Sequence, residues 1–469
     1  MQRRSFLQSC LGTAASFLCS NSGLLAQNAM QPLAGMAVEP NREELSALLD
    51  KLLVTRSPEL HRFAVEAYAT CILGKIQPPN WPLQHPWIVP GGNYFAQWVW
   101  DTMFVVDLLS LLPDKLATIR GVFQNYWDFQ ERWNIAMPDF MHGMVPNFIA
   151  PYYTAGNRNG RQWITSPAYS QAPLLGWGME RVYRRNGDKE LLRQGLAGLE
   201  RFHEWYWRER DIFGLGLIGV GAYSGNVQDG RYETYDHEVD LDDLQMIRFP
   251  GRPEDLGHGA WYGDISIPAN TSYLLASEQA LQRMALVLGD TAMAARRQAR
   301  HEKGAEAMRK YMWNQELGCF LAVRSKTLEQ IKEPSVGSFM PLMAGVPTKE
   351  QAAAMAATLA TPAWSPAVPV PTIPTTSAKY SGGQYWRGDS WTAPNYQICD
   401  GLVAYGHVED AARIADLTVA NALKHGIAER YDSQSGAGIG VPGLGMSATP
   451  VTMLLDGLTS DRFVMRVRS

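Results

Sequence analysis

Strict alternation of apolar and polar residues, the mark of half-buried strands, is rare along these 469 residues, so the chain reads as mainly α. Cysteine is scarce as well. Of five, Cys10 and Cys19 fall in an N-terminal apolar run, and Cys71, Cys319 and Cys399 form no close pair. Their odd number and wide spacing argue against both a disulfide framework and a zinc site, and they read as small buried hydrophobes. Basic patches interleaved with aromatics are missing, charges of both signs are mixed, and the formal net charge is -4, which leaves no case for a nucleic-acid partner. There is no strand-borne G-x-S-x-G, no phosphate loop, no H-E-x-x-H and no dinucleotide fingerprint. His142, His237 and His258 are scattered among loops, and neither a metal nor another cofactor is needed. Nor is there an uninterrupted apolar run of bilayer length, so stable membrane insertion is not expected.

The N-terminus has instead the build of an export signal. Arg3-Arg4-Ser5-Phe6-Leu7 opens a charged start, a short apolar run broken by polar residues follows, and small residues reach Leu24-Leu25-Ala26. The reading is a twin-arginine-type signal peptide over residues 1–26, a periplasmic or secreted protein, and a single helical domain over 40–469. A proline-rich stretch from Thr361 to Pro374 carries Trp364 and several valines, which suits an extended loop over the body better than a linker. Helical patterns mark Glu44–Leu53, Phe95–Leu111, Lys115–Arg132, Glu190–Arg208, Asn270–Leu288, Thr291–Tyr311, Lys349–Ala360, one long run Asn395–Lys424, and Thr449–Leu458. In the fifth of these, Tyr273, Leu274, Leu281, Met284, Ala285 and Leu288 gather on one side.

Long connections rich in Gly and aromatics separate the helices, among them Trp81–Tyr94, Phe213–Tyr235, Gly251–Trp261 and Tyr380–Trp391. Connections of that length in a compact domain are usually functional. The densest is Gly382–Tyr396. Aromatic faces can stack on the apolar side of a pyranose while Arg, Asp and Asn grip its hydroxyls. Trp386, Trp391, Arg387, Asp389 and Asn395 are therefore candidate substrate-binding residues, with a small glycoside or oligosaccharide as the partner. The plainer alternative is that the 15 tryptophans mainly fill a large core.

The same segment carries a resemblance. YWRGDSWTAPNY, followed by GLVAYGHVEDAARIA and IAERYDSQSG, resembles the trehalase, processing α-glucosidase and mannosylglycerate hydrolase group of inverting glycosidases. QWVWDTMF, WNQELGCFLAV and SFMPLMAGV extend the likeness over most of the chain from about Tyr94 to Leu455, and Met446 stands where that group carries Trp. The resemblance implies an (α/α)6 toroid, whose twelve helices of roughly 12 to 15 residues with their loops would take about 400 residues. It also implies exo-acting hydrolysis of a terminal α-linked sugar, glucose or a close relative, with inversion.

An inverting enzyme needs an acid and a base about 6.5 to 9.5 Å apart, so that water fits between sugar and base. The resemblance assigns Glu429, in Ile427-Ala428-Glu429-Arg430-Tyr431-Asp432, the role of activating water. On spacing alone a Glu beside Arg430 would be a surface ion pair. The acid is expected in Tyr232–Asp243, where Glu233 and Asp236 match the group's acidic pair and Asp236 would protonate the leaving oxygen; Glu238, Asp240 and Asp243 are substitutes. That run could equally bind a calcium ion or form a solvated face. Trp100 and Asp101 match an early motif in which Asp binds a hydroxyl of the terminal sugar beside an aromatic platform, and Arg387 and Asn395 match a late one. Trp261, Tyr262 and Asp264 look like a site edge before a helix. The alternatives on the same toroid are a sugar isomerase or epimerase, a lyase of uronic polysaccharides, and a carbohydrate-binding protein without catalysis.

Overall fold

The computed structural model describes residues 40–92, 94–136, 139–151, 169–221, 244–248 and 261–468. Twelve α-helices lie among them: α1 (Arg42–Leu52), α2 (Pro58–Ala67), α3 (Val99–Leu109), α4 (Leu116–Ala136), α5 (Leu175–Asn186), α6 (Lys189–Glu209), α7 (Pro268–Leu288), α8 (Thr291–Tyr311), α9 (Lys349–Leu359), α10 (Thr392–Ala404), α11 (Val408–His425) and α12 (Thr449–Leu455). Local chemistry explains many of their ends. Asn41 caps α1 through the N–H groups of Glu43 and Glu44, Asp188 caps α6, and Thr348 with Gln351 forms a capping box on α9, each satisfying donors that the first turn leaves open.

The long periodic run Asn395–Lys424 is two helices, not one. Gly406, at φ 87°, ends α10 in the left-handed region, and the His407 N–H closes back on the Leu402 carbonyl. The apolar period continues across the break because α10 and α11 pack on each other. Two helices were not expected from the sequence. One is α2, opened by Pro58; the other is α5, where Gly176 and Gly178 weaken helix propensity. Gly178 is there for contact, since a Cβ would fall 2.3 Å from the Met103 sulfur and push α5 off α3.

Six elements close a ring. α3 packs on α5, α5 on α7, α7 on a 3-10 turn at Val336–Leu342, that turn on α10, α10 on α12, and the turn Gly445–Ala448 that opens α12 packs back on α3. α3 is apolar nearly all round, as a buried helix must be; ten of its eleven residues are buried, Asp101 being the exception. α6 and α8 cover α7 from outside, and α11 covers α10. The architecture is an (α/α)6 toroid. Successive inner elements are separated by a returning outer helix, so they share a direction, and the loops entering them gather at one end.

Strands are short. The longest described is Trp261–Ser266, at the centre of a four-stranded antiparallel sheet with Gly219–Gly221, Met246–Arg248 and Val323–Arg324. Leu53–Thr55 pairs antiparallel with Met465–Val467. The proline-rich stretch lies against the body, with Trp364, Val368, Val370 and Ile373 buried and the Val368 N–H on the Ser433 carbonyl. Cys71, Cys319 and Cys399 are free and buried.

Candidate active site

Glu429 sits on the strand Ala428–Tyr431, at a break in register against Gly438–Pro442. It is 4 % exposed, and both carboxylate oxygens are satisfied. Oε1 accepts from the Tyr94 hydroxyl at 2.9 Å, and Oε2 accepts from the Val441 N–H at 2.8 Å. Arg430 Nη1 lies 3.6 Å from Oε2. Gly440 holds φ 82°, and a Cβ there would fall 2.1 Å from Oε2, so glycine is what lets the hairpin close over the carboxylate.

Tyr94 comes from the loop entering α3, Glu429 from the hairpin before α12, and Tyr385 from the loop before α10. The three converge, the Tyr94 and Tyr385 hydroxyls being 3.3 Å apart. Burial, with the neighbouring Glu429 and Asp101 charges added, pushes the Tyr94 phenol up, so it stays protonated and donates to the carboxylate. Aromatic rings extend this cluster. Tyr94 meets Trp98 edge-on at 6.0 Å and Trp98 packs on Phe148 at 4.7 Å. On the other flank Tyr385 stands edge-on to Trp391 at 5.3 Å, and Trp391 stacks on Trp386 at 4.4 Å. Tyr385 has φ 53°, a left-handed backbone unusual for a bulky residue and typical of places where geometry serves function.

Several expected site residues take different places. Trp386 and Trp391 are buried and stacked on each other, so they support Tyr385 where open sugar platforms were expected. Trp100 packs on Phe104 at 5.1 Å within the core. Asp101, half-buried in the first turn of α3, faces the Tyr94 side of the cluster electrostatically. Arg387 is half-buried on the same loop as Tyr385. Asn395 is fully buried, and its amide donates to the Pro369 carbonyl and the Thr418 hydroxyl; those bonds anchor α10, and burial keeps the side chain away from a sugar. Asp389 is among the residues expected to bind a sugar hydroxyl. Its carboxylate instead holds Arg430 Nε at 2.6 Å and the Gly383 N–H at 2.7 Å. Asp264, on the central strand of the four-stranded sheet, is taken by Arg324 at 3.0 Å and the Gln245 N–H. Trp261 opens that strand. Asp236 and its neighbours Glu233, Glu238, Asp240 and Asp243 lie outside the described residues.

Tyr94, Tyr385, Arg430 and Gly440 were not singled out from the sequence. Tyr385 stood inside the aromatic segment and Arg430 beside Glu429, but nothing local says that residues 335 positions apart share a hydrogen bond, as Tyr94 and Glu429 do. Among the described residues no group of His, Cys, Asp and Glu could hold a metal ion. Two open surface depressions, one beside Asp50 and His61 and one beside Glu204 and Arg300, share no residue with the cluster.

Residues 94–448, a span that runs from Tyr94 past Glu429, match the model of the mannosylglycerate hydrolase MGH1-like glycoside hydrolase domain. The chain belongs to this family of glycoside hydrolases. It is 23 % identical to a mannosylglycerate hydrolase of Rubrobacter radiotolerans over 75 % of this chain and 89 % of that protein. It is 25 % identical to a periplasmic trehalase of Escherichia coli over 76 % of this chain and 65 % of that one. Among solved structures, a GH63 mannosylglycerate hydrolase of Thermus thermophilus in complex with Tris and D-glycerate superposes with a TM-score of 0.62 at 20 % identity, covering 83 % of this chain and 98 % of that one. The neutral trehalase of Saccharomyces cerevisiae superposes at 0.53 and 17 % identity, covering 90 % of this chain and 81 % of that one. At such identities the structures speak for the fold. Family membership places this glycoside hydrolase apart from the isomerase, lyase and binding-protein readings.

Proposed function

We propose that the glycoside hydrolase is exo-acting, removes a terminal α-linked sugar of the glucose type, and inverts the anomeric centre. The observation that carries this reading is the Glu429 carboxylate, set at the end of the toroid where the inner-helix loops meet and gripped by Tyr94 and the Val441 N–H. A carboxylate so oriented suits the task of taking a proton from water. The acid is assigned to Asp236, which matches the group's acidic pair; an inverting enzyme needs its acid and base about 6.5 to 9.5 Å apart, so that a water fits beside the sugar. The names of the relatives add two substrates to try, an α-mannosylglycerate and trehalose. Export through the N-terminal signal over residues 1–26 accords with the periplasmic trehalase relative, and no helix among the described residues is long and apolar enough to cross a membrane.

Time-resolved proton NMR on a pool of α-glucosides, α-galactosides and α-mannosides, with trehalose and α-mannosylglycerate included, tests the reaction. A β-anomer appearing first from an α-substrate is the expected result. An α-anomer appearing first would overturn inversion, and no released sugar across the pool would overturn the substrate class. Fractionation of expressing cells, with and without Arg3 and Arg4 replaced by Lys, tests export.

A further inference from the structure

We propose that Arg430 is a positioning residue for Glu429, itself locked in place by the buried Asp389. The inference rests on reading Glu429 as the residue that activates water. Successive side chains of a regular strand point to opposite faces, yet Glu429 and Arg430 lie together because the register shifts between Ala428 and Arg430, the kind of irregularity that re-aims a side chain. The Arg430 guanidinium is then fixed from two other directions. Its Nε is held at 2.6 Å by Asp389, which is fully buried and whose second oxygen takes the Gly383 N–H at 2.7 Å. Its flat face lies 5.0 Å from the ring centre of Tyr385, a cation over an aromatic face. Nη1 is left 3.6 Å from Glu429 Oε2.

The Arg430 cation beside Oε2, the Val441 N–H on Oε2 and the Tyr94 hydroxyl on Oε1 together hold the carboxylate in one orientation. Asp389 thereby ties the loop that carries Tyr385 to the strand that carries Glu429, a link reinforced by the paired backbone bonds between Ser390 and Tyr431 at 2.8 and 2.9 Å.

The test uses the full-length protein with Arg430→Gln and Arg430→Lys. Steady-state kinetics at neutral pH, on whichever glycoside of the pool above is hydrolysed, is compared with wild type and with Glu429→Gln. In Arg430→Gln kcat falls roughly 10- to 100-fold while KM changes little; Arg430→Lys, which keeps the charge without the two-armed guanidinium, falls between that and wild type. An unchanged kcat in whichever variant folds overturns the proposal, as does a raised KM with kcat unchanged, which would make Arg430 a substrate contact. Full turnover in Glu429→Gln would instead overturn the reading of the base.

Discussion

Asp101 and Asp107 stand on the same inner helix, about 9 Å apart along its axis at 1.5 Å per residue, and the protein treats them in opposite ways. Asp107 is buried and saturated. Arg181 Nε donates to it at 3.0 Å, Arg185 grips it with both arms, both arginines reach on to Asp456, and Tyr396 donates to Asp456 at 2.8 Å. Burial alone would raise the Asp107 carboxyl, but Arg181 and Arg185 hold it below the usual carboxylate range. This clasp joins α3, α5, α10 and the end of α12 on the far side of the ring. At the near end Asp101 is half-buried and, like Glu429, lies within electrostatic reach of Tyr94. One end of the toroid uses its charges to hold the ring together; the other gathers the carboxylate proposed as the base.

The sharpest way to break the comparison is to remove function from one end and stability from the other. Glu429→Gln should lower turnover by roughly 10³-fold or more with sugar affinity and melting temperature close to wild type, checked by kinetics, calorimetric titration and a thermal melt; unchanged activity would sink the base assignment. Asp107→Ala should do the reverse. It leaves Arg181 and Arg185 buried without their central partner, a loss of about 3 to 5 kcal/mol, read as a lower midpoint in urea. Gly440→Ala joins the two effects: its Cβ would displace the Glu429 carboxylate, lowering kcat roughly tenfold, and its left-handed backbone costs about 1 to 2 kcal/mol.

A smaller effect concerns pH. Burial pushes the Asp188 carboxyl up, but Arg120 and the N–H groups of Leu191 and Glu190 outweigh it and leave the carboxyl below its ordinary value. A depressed carboxylate contributes stability above its unfolded pKa, about 3.9, and loses it as pH falls through the folded value. Asp188→Asn should therefore melt lower than wild type near neutral pH by roughly 0.5 kcal/mol, with the gap closing below about pH 4. A gap that persists in acid would mean that the amide fails as a cap for other reasons.

What the sequence revealed follows from how local each signal is. Periodicity found α6, α7 and α8 because their buried faces repeat every three or four residues, and it ran α10 and α11 together because one glycine is a weak signal against a continuing apolar period. Glu429 and the Tyr385 loop were legible because each lies in a compact motif. Trp386, Trp391 and Asn395 were drawn to the same pocket by their company, yet stacking and buried hydrogen bonds decide where a side chain points, and those partners lie far away in sequence. Arg430 looked like a surface partner of Glu429; only the bulge and the buried Asp389 make it an internal one.

The antiparallel pair between Leu53–Thr55 and Met465–Val467 joins the two ends of the described chain. A ring built from successive hairpins has two raw edges until its last hairpin docks on its first; here the Gly445–Ala448 turn closes on α3, and the strands that clasp beside that closure are some 410 residues apart. The nascent chain must therefore carry exposed apolar helix faces through most of synthesis, closing only once the second strand is free to travel back to the first. Contacts so distant along the chain form slowly, which makes the unsealed ring the stage at which aggregation or proteolysis competes with folding.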